Sequence, residues 1–307
     1  MRVVFAGTPD FAVPALKALI DHAKWYPAAV FTQPDRPAGR GRKLKFGPVK
    51  QVAVDAGIDV FQPHSLRTPE ARAPLADIQP DLLVTAAYGL LLPPAVLELP
   101  AHGCWNLHAS LLPRWRGASP INQAVIAGDR QTGISLMQMD QGLDTGPVIM
   151  QAATEIGAEE TAGQLHDRLA PLAAELLVEA LEQLETDRLP EPVPQDNAQA
   201  THAPLIRKSD ARLDWHRPAD QLARMVRGYH PWPVTFAELQ GIEFRIHRAR
   251  ALPGEGGQPG QLVRGNDIDG IAVACGEGVL EILELQAPGR KRVTARDWLN
   301  AHPDWRG

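Results

Sequence analysis

Short hydrophobic runs alternate with amphipathic stretches along the first half of the chain. Runs of apolar residues predict buried strands, and apolar residues at helical spacing predict the helices between them. The predicted elements are strands at 2–7, 28–33, 58–61, 80–88 and 104–110, with helices near 12–23 and 47–57. Because strands that alternate with helices are typical of parallel sheets, we predict an α/β fold with a doubly wound, Rossmann-like sheet. Ligands of such sheets bind beyond the carboxyl ends of the strands.

A long leucine-rich helix is predicted next. Across 161–186 leucines recur near helical spacing, which predicts one buried face. Thr161 and Gln164 have the spacing of a capping box, in which two side chains bind backbone amides at the start of a helix. The residues at 189–204 carry four prolines among polar residues, which indicates a linker.

The last third of the chain has a different pattern. An amphipathic helix near 218–228 precedes five short hydrophobic segments separated by glycines or turn residues, and a helix at 294–301 follows them. Five short strands in so little sequence predict a small OB-like β-barrel. We therefore predict an α/β domain at 1–189, a linker at 190–207 and an OB-like domain at 208–307.

Composition limits the classes to which this chain can belong. Of 307 residues, 44% are hydrophobic and 22% are charged, as in an ordinary globular protein. No apolar run approaches the 18 residues of a membrane span, and the apolar start is too short for a signal peptide. Two cysteines, Cys104 and Cys275, form neither a disulfide framework nor a zinc spacing. We expect a cytoplasmic protein that binds no membrane and no metal.

A basic segment stands out from the net charge of −5. Residues 35–50 carry six basic side chains against one acid, Asp35. Such a cluster is either a solvated loop or a surface that contacts nucleic-acid phosphates by releasing counterions. The first turn, AGTPDF at 6–11, lacks the G-x-G-x-x-G pattern, so no dinucleotide cofactor is expected.

Two polar segments carry the candidate chemistry. In the segment NLHASLLPRWRG at 106–117, alternation along a strand places Asn106 and His108 on one face. A lone histidine there is usually a hydrogen-bonded core residue, but paired polar side chains at a strand's carboxyl end favour a site. The second segment, GISLMQMDQGLDTGPV at 133–148, presents Asp144 between two glycines. Alone, that aspartate could simply stabilise a turn.

Together these side chains are suited to acyl transfer to an amine. The amide of Asn106 can donate to a developing oxyanion. His108 can exchange protons near neutrality, and the Asp144 carboxylate can orient the imidazole. Ser110 lacks the G-x-S-x-G turn of a serine nucleophile, so the attacking group belongs to a substrate.

Both segments resemble the signature of the folate-dependent formyltransferases. Four further stretches are similar to the branch of that family that acts on initiator methionyl-tRNA, so that the resemblance covers nearly the whole chain: FAGTPDFAVPAL at 5–16, FTQPDRPAGRGRKL at 31–44, VTAAYGLLLP at 84–93 and GYHPWP at 228–233. Ala109 departs from the glycine or proline expected there, and Arg42 from the more common lysine.

The resemblance implies a reaction and assigns residues to it. A formyl group passes from (6S)-10-formyltetrahydrofolate to the amino group of methionyl-initiator tRNA, and no metal takes part. The implied catalytic residues are Asn106, His108 and Asp144. The implied folate-binding residues are Tyr88, Gly89, Leu90, Ser110, Leu111, Leu112, Pro113 and Asp140. The implied tRNA-binding residues are Arg36, Arg40, Arg42, Lys43 and Lys45, with Arg40 the first candidate for a phosphate or base contact.

Two alternatives remain open at this level. A formyltransferase that acts on a small amine, such as an amino sugar or glycinamide ribonucleotide, would share the catalytic segments but not the basic insertion and the C-terminal barrel. A catalytically silent RNA-binding module would not bind folate. The sequence shows no self-association surface, so we expect a monomer.

Overall fold

The computed structural model describes residues 1–38, 43–254, 257–264 and 269–306. The chain forms two compact units. The first unit comprises 1–117, 131–155 and 166–202. The second unit comprises 118–130, 156–165 and the residues from 203 onward.

The described strands and helices follow one another in a simple order. The strands are β1 (Val3–Gly7), β2 (Pro27–Phe31), β3 (Arg36–Ala38), β4 (Lys43–Lys45), β5 (Val60–Phe61), β6 (Leu82–Ala86), β7 (Cys104–His108), β8 (Arg116–Gly117), β9 (Gln131–Gln138), β10 (Val148–Glu155), β11 (His202–Ala203), β12 (Thr235–Leu239), β13 (Ile242–Leu252), β14 (Leu262–Val263), β15 (Ile271–Ala274), β16 (Val279–Gln286) and β17 (Val293–Thr294). The helices are α1 (Val13–Ile20), α2 (Pro48–Asp55), α3 (Pro69–Ile78), α4 (Pro94–Leu97), α5 (Pro120–Ala127), α6 (Ala162–Glu185), α7 (Ala219–Gly228) and α8 (Ala295–Ala301).

A seven-stranded sheet forms the centre of the first unit, in the order β10-β9-β7-β6-β1-β2-β5. The five strands from β7 to β5 run parallel, which confirms the predicted Rossmann-like α/β fold. The edge formed by β9 and β10 is antiparallel, which the sequence analysis did not anticipate. These two strands are joined by a loop of nine residues at 139–147, too short for a crossover to a parallel neighbour.

Burial in the first unit follows the sequence pattern. Strands β1 and β6 are buried along their whole length, as expected for parallel strands covered on both faces. Strand β10 alternates between more and less exposed positions, as an antiparallel edge strand does. Tyr88 and Leu92, which follow β6, also pack into the hydrophobic core.

The start of α6 matches its sequence signal. The Thr161 amide donates to Gln164 Oε1 over 3.0 Å, and the Gln164 amide donates to Thr161 Oγ1 over 3.3 Å, so the predicted capping box is present. Leu169 and Leu177 of the leucine stripe are fully buried. No helix of the described residues is long and apolar enough to span a bilayer.

The second unit contains an antiparallel sheet in the order β12-β13-β16-β15-β14, with β17 paired to β16. The five predicted segments correspond to β12 to β16, and the predicted helices near 218–228 and 294–301 correspond to α7 and α8. This small antiparallel sheet confirms the OB-like class predicted for the C-terminal part. Helices α3, α4 and α5 were not predicted, because they are short and none carries a long apolar repeat.

The sheet of the first unit places the candidate residues. Strands β6 and β7 are parallel neighbours, and Thr85 pairs in register with Asn106. The chain leaves β7 at His108, and the loop at 139–147 returns toward the same strand. The candidate polar residues therefore lie together beyond the carboxyl ends of two central strands.

Candidate active site

The structure brings Asn106, His108 and Asp144 together. Asn106 Nδ2 lies 3.4 Å from Asp144 Oδ1, and His108 Nδ1 lies 3.6 Å from Asp144 Oδ2. The two oxygens of one carboxylate thus face the amide and the imidazole separately. The side chain of His108 is 6% exposed and that of Asp144 is 15% exposed, so the imidazole is buried and the carboxylate is partly accessible.

One backbone carbonyl fixes the orientation of the imidazole. His108 Nε2 lies 2.9 Å from the carbonyl oxygen of Trp115. Since a carbonyl oxygen only accepts hydrogen bonds, Nε2 carries a hydrogen and donates it. In the neutral ring Nδ1 is then the atom with the free lone pair, and it faces the Asp144 carboxylate. The 3.6 Å separation fits two acceptor atoms that share no proton.

The loop that carries Asp144 is held in an unusual conformation. Asp144 has φ +54°, a left-handed conformation that aspartate tolerates better than most residues. Its Oδ2 accepts a hydrogen bond of 2.8 Å from the Gly117 amide. At Gly146 a Cβ would lie 1.9 Å from the carbonyl oxygen of Gln138, so only glycine fits where the loop crosses the end of β9.

Thr85 orients the amide of Asn106. The Thr85 hydroxyl lies 2.9 Å from Asn106 Oδ1, its register partner on the neighbouring strand. Because the Asp144 carboxylate is an acceptor, the amide nitrogen of Asn106 must point toward it. Within the described residues the second hydrogen of that nitrogen has no acceptor, so it is available to a ligand atom. Thr85 is buried, and its hydroxyl also lies 3.2 Å from the Trp105 carbonyl and 3.4 Å from Met139 Sδ, so that Asn106 Oδ1 is its nearest acceptor.

The predicted folate residues after β6 are Tyr88, Gly89 and Leu90, and their accessible groups are mainly backbone groups. The Tyr88 side chain is buried, burial raises the pKa of its phenol, and its carbonyl accepts hydrogen bonds from Thr8 Oγ1 and Gln33 Nε2. Gly89 follows with φ +76° and is exposed, and Leu90 is half-buried. Any folate contact of Tyr88 therefore comes from its backbone and not from its ring.

The predicted folate residues after β7 are more enclosed. Ser110 is fully buried, and its hydroxyl donates to the Arg114 carbonyl over 2.6 Å. The Leu112 amide donates to Ser135 Oγ over 2.9 Å, and its carbonyl accepts from Gln151 Nε2. These hydrogen bonds fix the turn, and the assignment of both residues to folate stays a prediction.

The remaining predicted folate residues lie nearer the surface. Leu111 and Pro113 are half-buried. Asp140 is exposed, and its Oδ1 accepts hydrogen bonds from the Gly142 amide and from Thr145 Oγ1, so it shapes the loop at 139–147.

Only part of the basic segment lies within the described residues. Arg36 and Lys45 face each other in the hairpin of β3 and β4, and Arg36 Nη2 donates to Gln33 Oε1 over 2.8 Å. Arg40 and Arg42 lie outside the described residues, and for Lys43 only the backbone position in β4 is described.

Sequence reasoning missed three contributors to this cluster. Thr85 was recognisable as a polar residue within a buried hydrophobic run. The Trp115 carbonyl and the Gly117 amide are backbone groups, and no pattern of side chains in the sequence predicts their contacts. Over the described ranges, no group of three or more His, Cys, Asp and Glu side chains could hold a metal ion.

Comparison with known proteins matches almost the entire chain. The model of the formyl transferase family matches residues 1–181, and that of the formyl transferase C-terminal domain matches 205–303. This chain belongs to the formyl transferase family. A methionyl-tRNA formyltransferase of Methylococcus capsulatus is 52% identical over 303 residues, which cover 98% of this chain and 97% of the relative. A methionyl-tRNA formyltransferase of Xanthomonas campestris is 54% identical over 305 residues, 99% of this chain and 98% of the relative.

The fold of this chain also occurs in a solved structure. It is a sugar 3N-formyl transferase crystallised in the presence of dTDP and 5-N-formyl-THF, with a TM-score of 0.69 and 14% identity. The match covers 95% of this chain and 99% of that one. At 14% identity, this similarity establishes the fold alone.

The role of Thr85 can be tested with two substitutions. Thr85→Val keeps the shape but removes the hydroxyl that orients Asn106, so we expect the rate of formyl transfer to fall about 10-fold or more, since small misplacements at a reacting centre are costly. Thr85→Ser retains the hydroxyl and should restore most of the rate. Single-turnover kinetics measure both.

Thr132→Val is a matched control for this experiment. Thr132 is equally buried in the same sheet, and its hydroxyl has no hydrogen-bond partner within the described residues. Its substitution should leave the rate unchanged. Equal rates for Thr85→Val and the wild type would show that the hydroxyl does not orient Asn106.

Proposed function

We propose that the protein transfers the formyl group of (6S)-10-formyltetrahydrofolate to the amino group of methionyl-initiator tRNA in the cytoplasm. The observation that carries this proposal is the shared carboxylate of Asp144, which faces both Asn106 and His108. The full-length similarity to methionyl-tRNA formyltransferases supports the choice of acceptor.

The domain assignment is part of the proposal. Residues 1–189 carry the transfer reaction, 190–207 are a linker, and 208–307 bind tRNA as an OB-like domain. The proposal is supported by the family models, which match the two parts of the chain separately. A monomer without a bound metal is sufficient for this reaction, since the three candidate residues come from one chain.

The residues near the site suit a folate donor. Leu143, directly before Asp144, is 60% exposed, and Leu91, in the loop after β6, is 70% exposed, although both are large apolar residues. A flat heteroaromatic ring would cover such side chains, and backbone groups such as those around Gly89 can supply its hydrogen bonds. The structurally similar sugar formyl transferase, crystallised with a formylated folate, supports the same donor class.

Asn106 stabilises charge in the proposed reaction. The donor supplies a formyl group on N10, and negative charge develops on the formyl oxygen as the amine attacks. The free hydrogen of Asn106 Nδ2 can donate to that oxygen, while Asp144 and Thr85 hold the amide in place.

His108 accepts the proton of the attacking amine at Nδ1. Its Nε2 is already committed to the Trp115 carbonyl, so the lone pair available for a proton lies on the side of Asp144. Once protonated, Nδ1 can donate to Asp144 Oδ2, and the carboxylate stabilises the imidazolium. The proton is then available for the leaving N10.

A formyltransferase for a small amine is not favoured. Methionyl-tRNA formyltransferases are 52% and 54% identical over 98% and 99% of this chain, whereas the sugar formyl transferase, which covers 95% of the chain, is only 14% identical. A silent RNA-binding module would have no use for an amide and an imidazole gathered on one carboxylate.

The direct test is formylation with purified protein. Methionyl-initiator tRNA, an amino sugar nucleotide and glycinamide ribonucleotide are each incubated with labelled 10-formyltetrahydrofolate. We expect label only in the tRNA product, and a loss of roughly 10²-fold or more in rate for Asn106→Ala, as for removal of an oxyanion donor. Label in a small amine, or a folded His108→Ala variant with a normal rate, would refute the proposal.

The basic segment is tested separately by its salt dependence. Combined Arg40→Ala and Arg42→Ala substitutions should raise the Kd for tRNA and reduce the slope of log Kd against log salt concentration by about 2, roughly one unit for each lost phosphate contact. Folate affinity should be unchanged. An unchanged slope would mean that these arginines are solvated and bind no phosphate.

A further inference from the structure

We propose that the segment 193–201, within the proposed linker, positions the catalytic residues. This inference rests on the proposed function, because it concerns the same trio. The segment contacts both the loop that carries Asp144 and the backbone of Trp115, whose carbonyl fixes His108. Its side chains touch no reacting atom, so its residues are positioning residues.

Gln195 holds the Asp144 loop. Its Nε2 donates to the Asp144 carbonyl over 2.9 Å and to the Gly146 carbonyl over 2.7 Å. The side-chain amide has two hydrogens, and each is used on one of these carbonyls. The loop is therefore fixed on both sides of Thr145.

Arg116 fixes Gln195 in turn. Its Nε donates to Gln195 Oε1 over 2.9 Å, and the side chain is only 4% exposed. A hydrogen bond from a buried charged group is stronger than a neutral one and polarises the amide that accepts it. Gln195 is half-buried, so its two donated bonds are partly shielded from water.

Thr201 holds the other half of the site. Its Oγ1 accepts a hydrogen bond of 2.9 Å from the Trp115 amide, and its carbonyl accepts one of 2.9 Å from the Arg116 amide. The Thr201 amide donates to the Pro113 carbonyl over 3.3 Å. These three contacts with Pro113, Trp115 and Arg116 fix the backbone on either side of the carbonyl that binds His108 Nε2.

The segment is anchored at its start as well. Val193 and Val148 exchange a pair of backbone hydrogen bonds of 2.8 Å each. Val148 is the first residue of β10, directly after the Asp144 loop. The segment is therefore attached to the sheet before it reaches the site.

These contacts meet a specific need of the backbone. Asp144 has φ +54° and Trp115 has φ +64°, and left-handed conformations of residues with side chains are unfavourable. Such conformations persist only where surrounding contacts determine them. Gln195 and Thr201 supply those contacts at the two positions that set the distance between the carboxylate and the imidazole.

Substitutions at Gln195 test the first contact. Gln195→Met removes the two donors without adding charge, and Gln195→Glu removes them while keeping the acceptor for Arg116. We expect both to lower kcat by about 10-fold or more, with KM for the folate donor and for methionyl-tRNA within about 2-fold, because displaced catalytic groups slow the chemical step. Gln199→Met is the control: Gln199 is exposed in the same segment and bonds only Asp196 among described side chains.

Substitutions at Thr201 test the second contact. Thr201→Val removes the acceptor for the Trp115 amide and should lower kcat by about 10-fold. Thr201→Ser keeps the hydroxyl and should restore the rate, which a purely steric role would not predict.

Hydrogen exchange of the ligand-free protein separates this inference from the proposed function. We expect faster exchange at 139–147 in the Gln195 variants and at 113–117 in Thr201→Val, with the melting temperature within a few degrees of the wild type. Unchanged exchange, a rate loss confined to Gln195→Glu, or no rescue by Thr201→Ser would each overturn the inference. A wild-type protein that transfers no formyl group would instead overturn the proposed function, and the exchange result would still decide whether the segment positions these loops.

Discussion

The hydrogen bond from His108 Nε2 to the Trp115 carbonyl determines how the site can work. It assigns the hydrogen of the neutral ring to Nε2 and leaves Nδ1 facing Asp144. Without it either ring nitrogen could serve as the base, and the imidazole could already donate to the Asp144 carboxylate before the reaction begins. With it, the stabilising contact between imidazolium and carboxylate forms only once the ring takes up a proton. The site therefore binds the charged state that arises in the reaction more strongly than the resting state.

The site around that hydrogen bond is built from three parts of the first unit that meet beyond the carboxyl end of β7. The strand supplies Asn106 and His108, the turn that follows supplies the Trp115 carbonyl, and the loop at 139–147 supplies Asp144. The neighbouring parallel strand β6 supplies the Thr85 hydroxyl, because Thr85 pairs in register with Asn106. Because hydrogen bonds in a partly buried site are sensitive to distance, each part must be held independently.

The sequence predicted most of the fold and the principal side chains of the candidate site. Hydrophobic runs identify strands such as β1 and β6, and the capping residues Thr161 and Gln164 locate the start of α6. Alternation along a strand was sufficient to place Asn106 and His108 on one face. The antiparallel edge of the sheet escaped prediction, because strand direction there depends on the connections at 109–130 and 139–147 and not on the residues of β9 and β10.

The remaining parts of the site are backbone groups and long-range contacts. The Trp115 carbonyl and the Gly117 amide have no sequence signal, since every residue carries such groups. The contact of Gln195 with Asp144 joins positions 51 residues apart, within a stretch whose prolines indicate only a linker. The composition of such a segment predicts that it is not helical, but it does not predict which backbone atoms the segment contacts.

Nitrogen NMR shows which ring nitrogen of His108 carries the hydrogen. In protein labelled with ¹⁵N-histidine, with the His108 signals assigned by their loss in His108→Gln, the shifts of the two ring nitrogens report which one carries the hydrogen. At a pH where the ring is neutral, we expect a protonated Nε2 and an unprotonated Nδ1. A ring protonated at Nδ1 and bare at Nε2 would contradict this assignment.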